Sequence, residues 1–204
     1  MAVEDGILVV GLGNPGPEYA GNRHNFGFMV LDAFAWHIGA PSTREKFKGL
    51  FARGRLGGNR VDLLKPMTFM NLSGRSVAKA AGFFQIAVES IIVIHDELDL
   101  PFGTLRLKKG GGTGGHKGIA SIKENLGSAD FTRVRMGIGR PNTDDYKNDI
   151  DITDYVLRNF ESKDVPTLTN VIEYGVKAVE RVVQNGIRVA MNEFNKRGGG
   201  SDEP

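Results

Sequence analysis

Apolar positions along the chain follow two periods. The run "ILVV" at 7–10 is continuous and ends in the glycine- and proline-rich turn "GLGNPG", the pattern of a short strand buried on both faces. From Asn25 the period changes: Phe26, Met29, Val30, Phe34 and Ile38 share one helical face, and Gly39 stands where a helix would stop. Residues 49–56 and 60–65 read as two strands joined at "GGN", a hairpin signal, with Pro66 closing the second. A helix is predicted from Ser73 to about Phe84, with Ser73 as its cap. "SIIVIHDELDLPFG" is a further apolar strand that runs into acids, and "TLRLK" and "RVRMGIG" predict two more. Between those two lie the glycine-rich loop "GGGTGGHKG" and a helix ending near Gly127. The polar, acidic "TDDYKNDIDITDYV" predicts a surface loop ahead of a small helical element. From about Lys163 to Arg197 the spacing of Val165, Leu168, Val171, Ile172, Val176, Val179 and Val182 predicts helix with a break at Gly186.

Strands alternating with helices, plus one hairpin, predict an α/β fold: a single domain over residues 1–197, with a twisted mixed β-sheet flanked by helices and C-terminal helices. Residues 198–204, mostly glycine and polar, are expected to form a disordered tail.

Composition narrows the chemistry. The absence of cysteine removes disulfides, thiolate metal clusters and a thiol nucleophile. Two acids precede the first apolar run, unlike the basic start of a secretory signal, and no run reaches membrane-spanning length, so a soluble cytoplasmic protein is expected. The net charge of +2 is uninformative as a total, but residues 101–140 hold eight lysines and arginines against two acids. That excess suits a local phosphate-binding face as well as an ordinary solvated surface.

Three motifs suggest chemistries that their context argues against. "GLGNPG" matches the dinucleotide fingerprint, yet Pro15 and Pro17 delay the helix by about ten residues, too far to cap a pyrophosphate. "GGTGGHKG" resembles a phosphate loop, but His116 separates Gly115 from Lys117 and no Ser or Thr follows. "HDELD" supplies His95, Asp96, Glu97 and Asp99, but neighbours on an extended chain point to opposite sides and cannot aim at one metal ion. No metal and no cofactor is expected.

A different constellation forms if strands 6–11 and 91–95 are parallel neighbours, because the loops after both then open on one sheet edge, where α/β folds place ligands. That edge would gather Asn14, His24 and Asp96, and the loop "PMTFMNLSG" would add Phe69 and Asn71. Imidazole suits proton abstraction near neutral pH when a carboxylate fixes its tautomer and stabilises its cation. Asn amides offer donors to a developing oxyanion. With no GxSxG nucleophile motif, water is the simplest attacking group. Taken singly, each residue has a plainer reading: a helix-start histidine, turn asparagines, an aspartate capping a turn.

The stretches "VVGLGNPGPEYAGNRHNFGF", "KPMTFMNLSG", "IIVIHDELDLPFGTLRLKKGGGTGGHKG" and "RVRMGIGRP" resemble, in order, the bacterial-type peptidyl-tRNA hydrolases, with the resemblance running from about residue 6 to 195. It implies a monomeric, metal-independent α/β enzyme that hydrolyses the ester between a peptide and the terminal ribose of tRNA, with peptidyl-tRNA as partner and no membrane. It further implies that His24 is the catalytic base, that Asp96 holds it in its basic form, and that Asn14 distinguishes N-blocked from free aminoacyl-tRNA. Tyr19, Phe69 and Asn71 match positions contacting the tRNA end or the peptide, and Lys108 and Arg135 match tRNA phosphate contacts. The pattern departs at Lys117, where the family usually has Asn: an ammonium donates but cannot accept, so it cannot reproduce an amide's hold on water. Substrate contact is still expected of it. The same fold resembles organellar splicing factors of plants, which makes a non-enzymatic RNA-binding protein the rival reading.

Overall fold

The computed structural model describes residues 6–141 and 151–196. In chain order its elements are β1 (Gly6–Gly11), α1 (Phe26–His37), β2 (Arg44–Lys46), β3 (Gly49–Leu56), β4 (Asn59–Pro66), α2 (Ser73–Phe84), β5 (Ile91–Glu97), β6 (Leu105–Lys109), α3 (Lys117–Leu126), β7 (Thr132–Gly137), α4 (Ile152–Leu157) and α5 (Val165–Phe194). The described strands form one mixed sheet in the order β2-β3-β4-β1-β5-β7-β6. β4, β1, β5 and β7 are parallel, and antiparallel β3 and β6 flank them.

β1 is apolar throughout because alternate residues feed different cores. Leu8 and Val10 pack with Val77, Ala80, Ile119 and Ile122 of α2 and α3, whereas Val9 packs on the other face with Val30, Phe34, Val176 and Val179 of α1 and α5. A sheet covered on both faces gains on both, which is why the run carries no polar alternation. Gly57 and Gly58 turn the β3–β4 hairpin with φ of 56° and 84°, left-handed values at which glycine carries no side-chain penalty.

The predicted α/β class and its elements match this architecture, with local differences. Phe26 begins α1, and His24 lies inside a preceding 3₁₀ turn, Arg23–Asn25. Ser73 is not a cap: it is the first residue of α2, and its buried hydroxyl donates back to the Met70 carbonyl at 2.9 Å. The C-terminal helix starts at Val165 and breaks at Gly186 (φ 79°, ψ 162°), as the spacing predicted. Most of the acidic loop and the expected tail fall at 142–150 and 197–204, outside the described residues.

Gly11 and Gly13 of "GLGNPG" serve packing here. A Cβ on Gly11 would stand 2.4 Å from the Gly27 carbonyl oxygen, and one on Gly13 would stand 2.7 Å from the Phe28 ring. The turn is bare because α1 presses against the end of β1.

Candidate active site

Parallel β1, β4 and β5 deliver three loops to one sheet edge, where they border a cleft of about 500 Å³. Each polar side chain in it is held by identifiable partners. Asn25 brackets the main chain of Asn14: its Oδ1 accepts the Asn14 N–H at 2.8 Å and its Nδ2 donates to the Asn14 carbonyl at 3.0 Å. Asn14 in turn accepts the Met70 N–H on Oδ1 at 2.9 Å. With the oxygen of that amide occupied inside the protein, its NH₂ is the end left for the cleft.

His24 sits in a turn fastened by its neighbour. The Arg23 N–H donates to the Arg158 carbonyl at 3.0 Å, its guanidinium donates to the Asn159 carbonyl at 2.9 Å, and that guanidinium lies 4.7 Å from the centre of the Tyr155 ring. Nδ1 of His24 lies 2.9 and 3.0 Å from the two carboxylate oxygens of Asp96. A carboxylate only accepts, so Nδ1 carries the hydrogen, and the neutral ring keeps its lone pair on Nε2.

Asp96 has a second imidazole partner, His116, whose Nε2 donates to Oδ1 at 3.0 Å. The other nitrogen of His116 caps α3, accepting from the N–H groups of Gly118 and Ile119 at 3.1 and 3.3 Å. Both bonds require the same neutral tautomer. Behind it the buried His95 packs edge-on to His116, ring centres 4.8 Å apart, and donates from Nδ1 to the Asp96 carbonyl at 2.7 Å.

Burial opposes charge on His24, Asp96 and His95, and the partners decide the outcome. For His24 the desolvation is outweighed by the charge and hydrogen bond of Asp96, so its pKa lies above the ordinary 6.5, while Lys117 pulls it back down. For Asp96, burial is overcome by His24 and His116, which hold the carboxyl far below the usual carboxylate range. For His95 burial, reinforced by His116, outweighs the charge and hydrogen bond of Asp96 and holds its pKa well below the ordinary 6.5.

His24, Asp96 and His116 are the trio among the described residues with ligand atoms close enough to share a metal ion, all within 4.8 Å. Their nitrogens and oxygens are already joined to one another and to the α3 backbone, so an ion would have to displace those bonds.

The facing wall is apolar, made by Leu98 and by Ile152, Val156 and Leu157 of α4. Of the residues singled out in the sequence, Asn14, His24, Phe69, Asn71, Asp96 and Lys117 line this cleft, and Phe69 is 59% exposed. Tyr19, Lys108 and Arg135 do not line it: Tyr19 lies in a short turn after β1, and the other two on β6 and β7. Arg135 donates to Glu97 at 2.8 Å. His116 and Asn25 escaped the sequence reading. The signal for His116 was a histidine directly before a helix, at a position where a side-chain acceptor can cap.

A family model described as Peptidyl-tRNA hydrolase matches residues 8–201. A peptidyl-tRNA hydrolase of Syntrophotalea carbinolica is 51% identical over 190 residues, covering 93% of this chain and 97% of the relative. One of Sorangium cellulosum is 49% identical over 94% of this chain and 84% of its own. Among solved structures, peptidyl-tRNA hydrolase from Acinetobacter baumannii superposes with a TM-score of 0.85 at 38% identity, covering 97% of this chain and 98% of that one.

Proposed function

The chain belongs to the peptidyl-tRNA hydrolase family and is an enzyme of that class, and from this premise we propose how its cleft cleaves the ester between a peptide, or an N-blocked amino acid, and the 3′-terminal ribose of tRNA. The observation that carries the reading is the contact of His24 Nδ1 with both carboxylate oxygens of Asp96, at 2.9 and 3.0 Å. With Nδ1–H committed to Asp96, the basic Nε2 is the nitrogen available in a cleft that also presents the Asn14 amide. Nε2 takes a proton from water as the water oxygen bonds to the ester carbonyl carbon, and the carbonyl π pair moves onto its oxygen. Asn14 or Asn71 donates to that oxyanion. As the intermediate collapses, the bond to the ribose oxygen breaks and the imidazolium returns its proton to that oxygen, leaving a free peptide carboxyl and a ribose hydroxyl. Asp96 stabilises the transient imidazolium, and an ester's alcohol is a good enough leaving group for this modest set.

The apolar wall of α4 and Leu98 faces the peptide in this reading, and tRNA phosphates meet Lys108 and Arg135. The decisive measurement is release of the acyl group from N-acetyl-aminoacyl-tRNA. Wild type is expected to turn over and His24→Ala to lose about 10²–10⁴ in kcat, the usual weight of a general base. Full activity in His24→Ala would sink the assignment of the base.

A further inference from the structure

Lys117 stands in the cleft with nothing in the fold that explains it. It is the first residue of α3, exposed, and among the described residues it has no ion pair and no hydrogen-bonded side-chain partner. A cation in the first turn of a helix opposes the helix dipole, so its position is unfavourable on structural grounds. The carboxylates that line the cleft with it are already engaged, Asp96 by two imidazoles, Glu97 by Arg135 and Asp99 by Arg140. Nor can the residue drift away. His116 fixes the backbone on one side of it, and on the other Gly118 is so close to its neighbours that an added Cβ would lie 2.5 Å from Met70 Sδ and 2.9 Å from Leu12 Cδ1.

A cation whose backbone is held at the cleft and which has no ion pair among the described residues calls for an anion, and the hydrolysis proposed above creates one there. We propose that the Lys117 ammonium is a catalytic group: it stabilises the negative charge that develops on the ester carbonyl oxygen, adding charge to the neutral donors Asn14 and Asn71. The inference rests on that reading of the cleft. The tetrahedral step places one negative charge on oxygen and one positive charge on His24; Lys117 favours the first and penalises the second, and Asp96 offsets the penalty. The charge of Lys117 already acts on His24 in the free enzyme, in the direction that disfavours the imidazolium. A phosphate of the tRNA is the competing anion, but the cations suited to it, Lys108 and Arg135, lie on β6 and β7 and do not line the cleft, although Arg135 donates to Glu97 at its border.

The charged or titratable groups that line the cleft with His24 are Asp96 and Glu97 of β5, Asp99 after it, His116 and Lys117 at α3, and Arg140 after β7. The segment of α4 in the lining adds none. Lys117→Met, Lys117→Arg and Lys117→Asn test the proposal through kcat, KM and the pH profile of kcat/KM on N-acetyl-aminoacyl-tRNA. Lys117→Met and Lys117→Asn are expected to lower kcat by about 10²–10³, the usual weight of one oxyanion donor, with KM within about threefold. Lys117→Arg, which keeps the charge, should recover most of the loss. The acid limb of kcat/KM should move to higher pH in the uncharged variants, because the penalty on the His24 cation is lifted. A raised KM with unchanged kcat and a weaker salt dependence would make Lys117 a phosphate contact and overturn the proposal. Unchanged kinetics would overturn it as well. His24→Ala measured alongside separates the two readings: if it is inactive and Lys117→Met is normal, only the role of Lys117 fails.

Discussion

At the scale of the residue, the site is a study in which interaction overrides burial. His24 and Asp96 are both nearly removed from water, yet each is stabilised in its charged form by the other, and His116 adds a second donor to the carboxylate. The sign of the resulting pH dependence follows. A general base works when unprotonated, so in the role proposed for His24 activity is present above its pKa and is lost as pH falls through it; with Asp96 in place that pKa lies above 6.5. In Asp96→Asn the countercharge is gone, and burial and Lys117 act unopposed. The acid limb of kcat/KM should therefore shift to lower pH even as the plateau falls by about 10²–10⁴, the scale for losing the carboxylate behind a catalytic imidazole. A pH series of kcat/KM checks this. An acid limb that stays in place would mean that Asp96 does not govern His24. His116 shows why such a cluster is hard to read in a sequence: it holds Asp96 with one nitrogen and a helix end with the other, and only the second task leaves a local trace, a histidine directly before a helix.

At the scale of the element, glycines fix how closely the pieces that carry these side chains approach. Gly82, near the end of α2, has open space around the position of a Cβ, so Gly82→Ala should raise stability by about 0.5–1 kcal/mol through helix propensity. Gly118, near the start of α3, meets Met70 and Leu12 instead, so Gly118→Ala should cost about 1–3 kcal/mol by overpacking. Thermal unfolding separates the pair, and kcat should fall for Gly118→Ala alone, because the clash displaces the turn that bears His116 and Lys117. Equal effects of the two substitutions would show that the α3 start is not tightly fixed. Elements of this kind were legible in the sequence where local signals agree: the apolar period of α1 with Gly39 behind it, the Gly57–Gly58 hairpin, the break at Gly186. Elements made by distant partners were not. β2 is only three residues and exists because β3 pairs with it, and Ser73 turned out to answer to the Met70 carbonyl rather than to the helix it opens. For the site, the sequence carried the convergence of Asn14, His24, Asn71 and Asp96 only through the assumption that β1 and β5 are parallel neighbours, and that assumption is met.

At the scale of the whole molecule, the sheet separates two tasks. The candidate site lies at the carboxyl ends of its central strands, and much of the excess of cations noted in the sequence collects at its β6–β7 end. The antiparallel register pairs Arg106 with Arg135 and Lys108 with Arg133, and the pleat then places all four side chains on one face. They are not equivalent. Arg133 is buried and donates to the carbonyls of Gly110, Gly111 and Gly112, so it braces the glycine loop from within. Arg135 is shared with Glu97, and Arg106 reaches the Asn195 carbonyl beyond the end of α5. Lys108 has no ion pair among the described residues, so it is the cation of this face with most to gain from a phosphate. Charge reversal there should therefore act on binding rather than on chemistry. Lys108→Glu is expected to raise KM for N-acetyl-aminoacyl-tRNA by about tenfold at low salt with kcat nearly unchanged, and to flatten the dependence of log KM on log salt by about one phosphate contact. Lys177→Glu, which places the same charge change on exposed α5, should leave both quantities as they are. The comparison matters because reversal of any surface cation alters the long-range field of the protein. A local contact is established by the difference in salt slope between the two variants, and equal slopes would move the tRNA off this face.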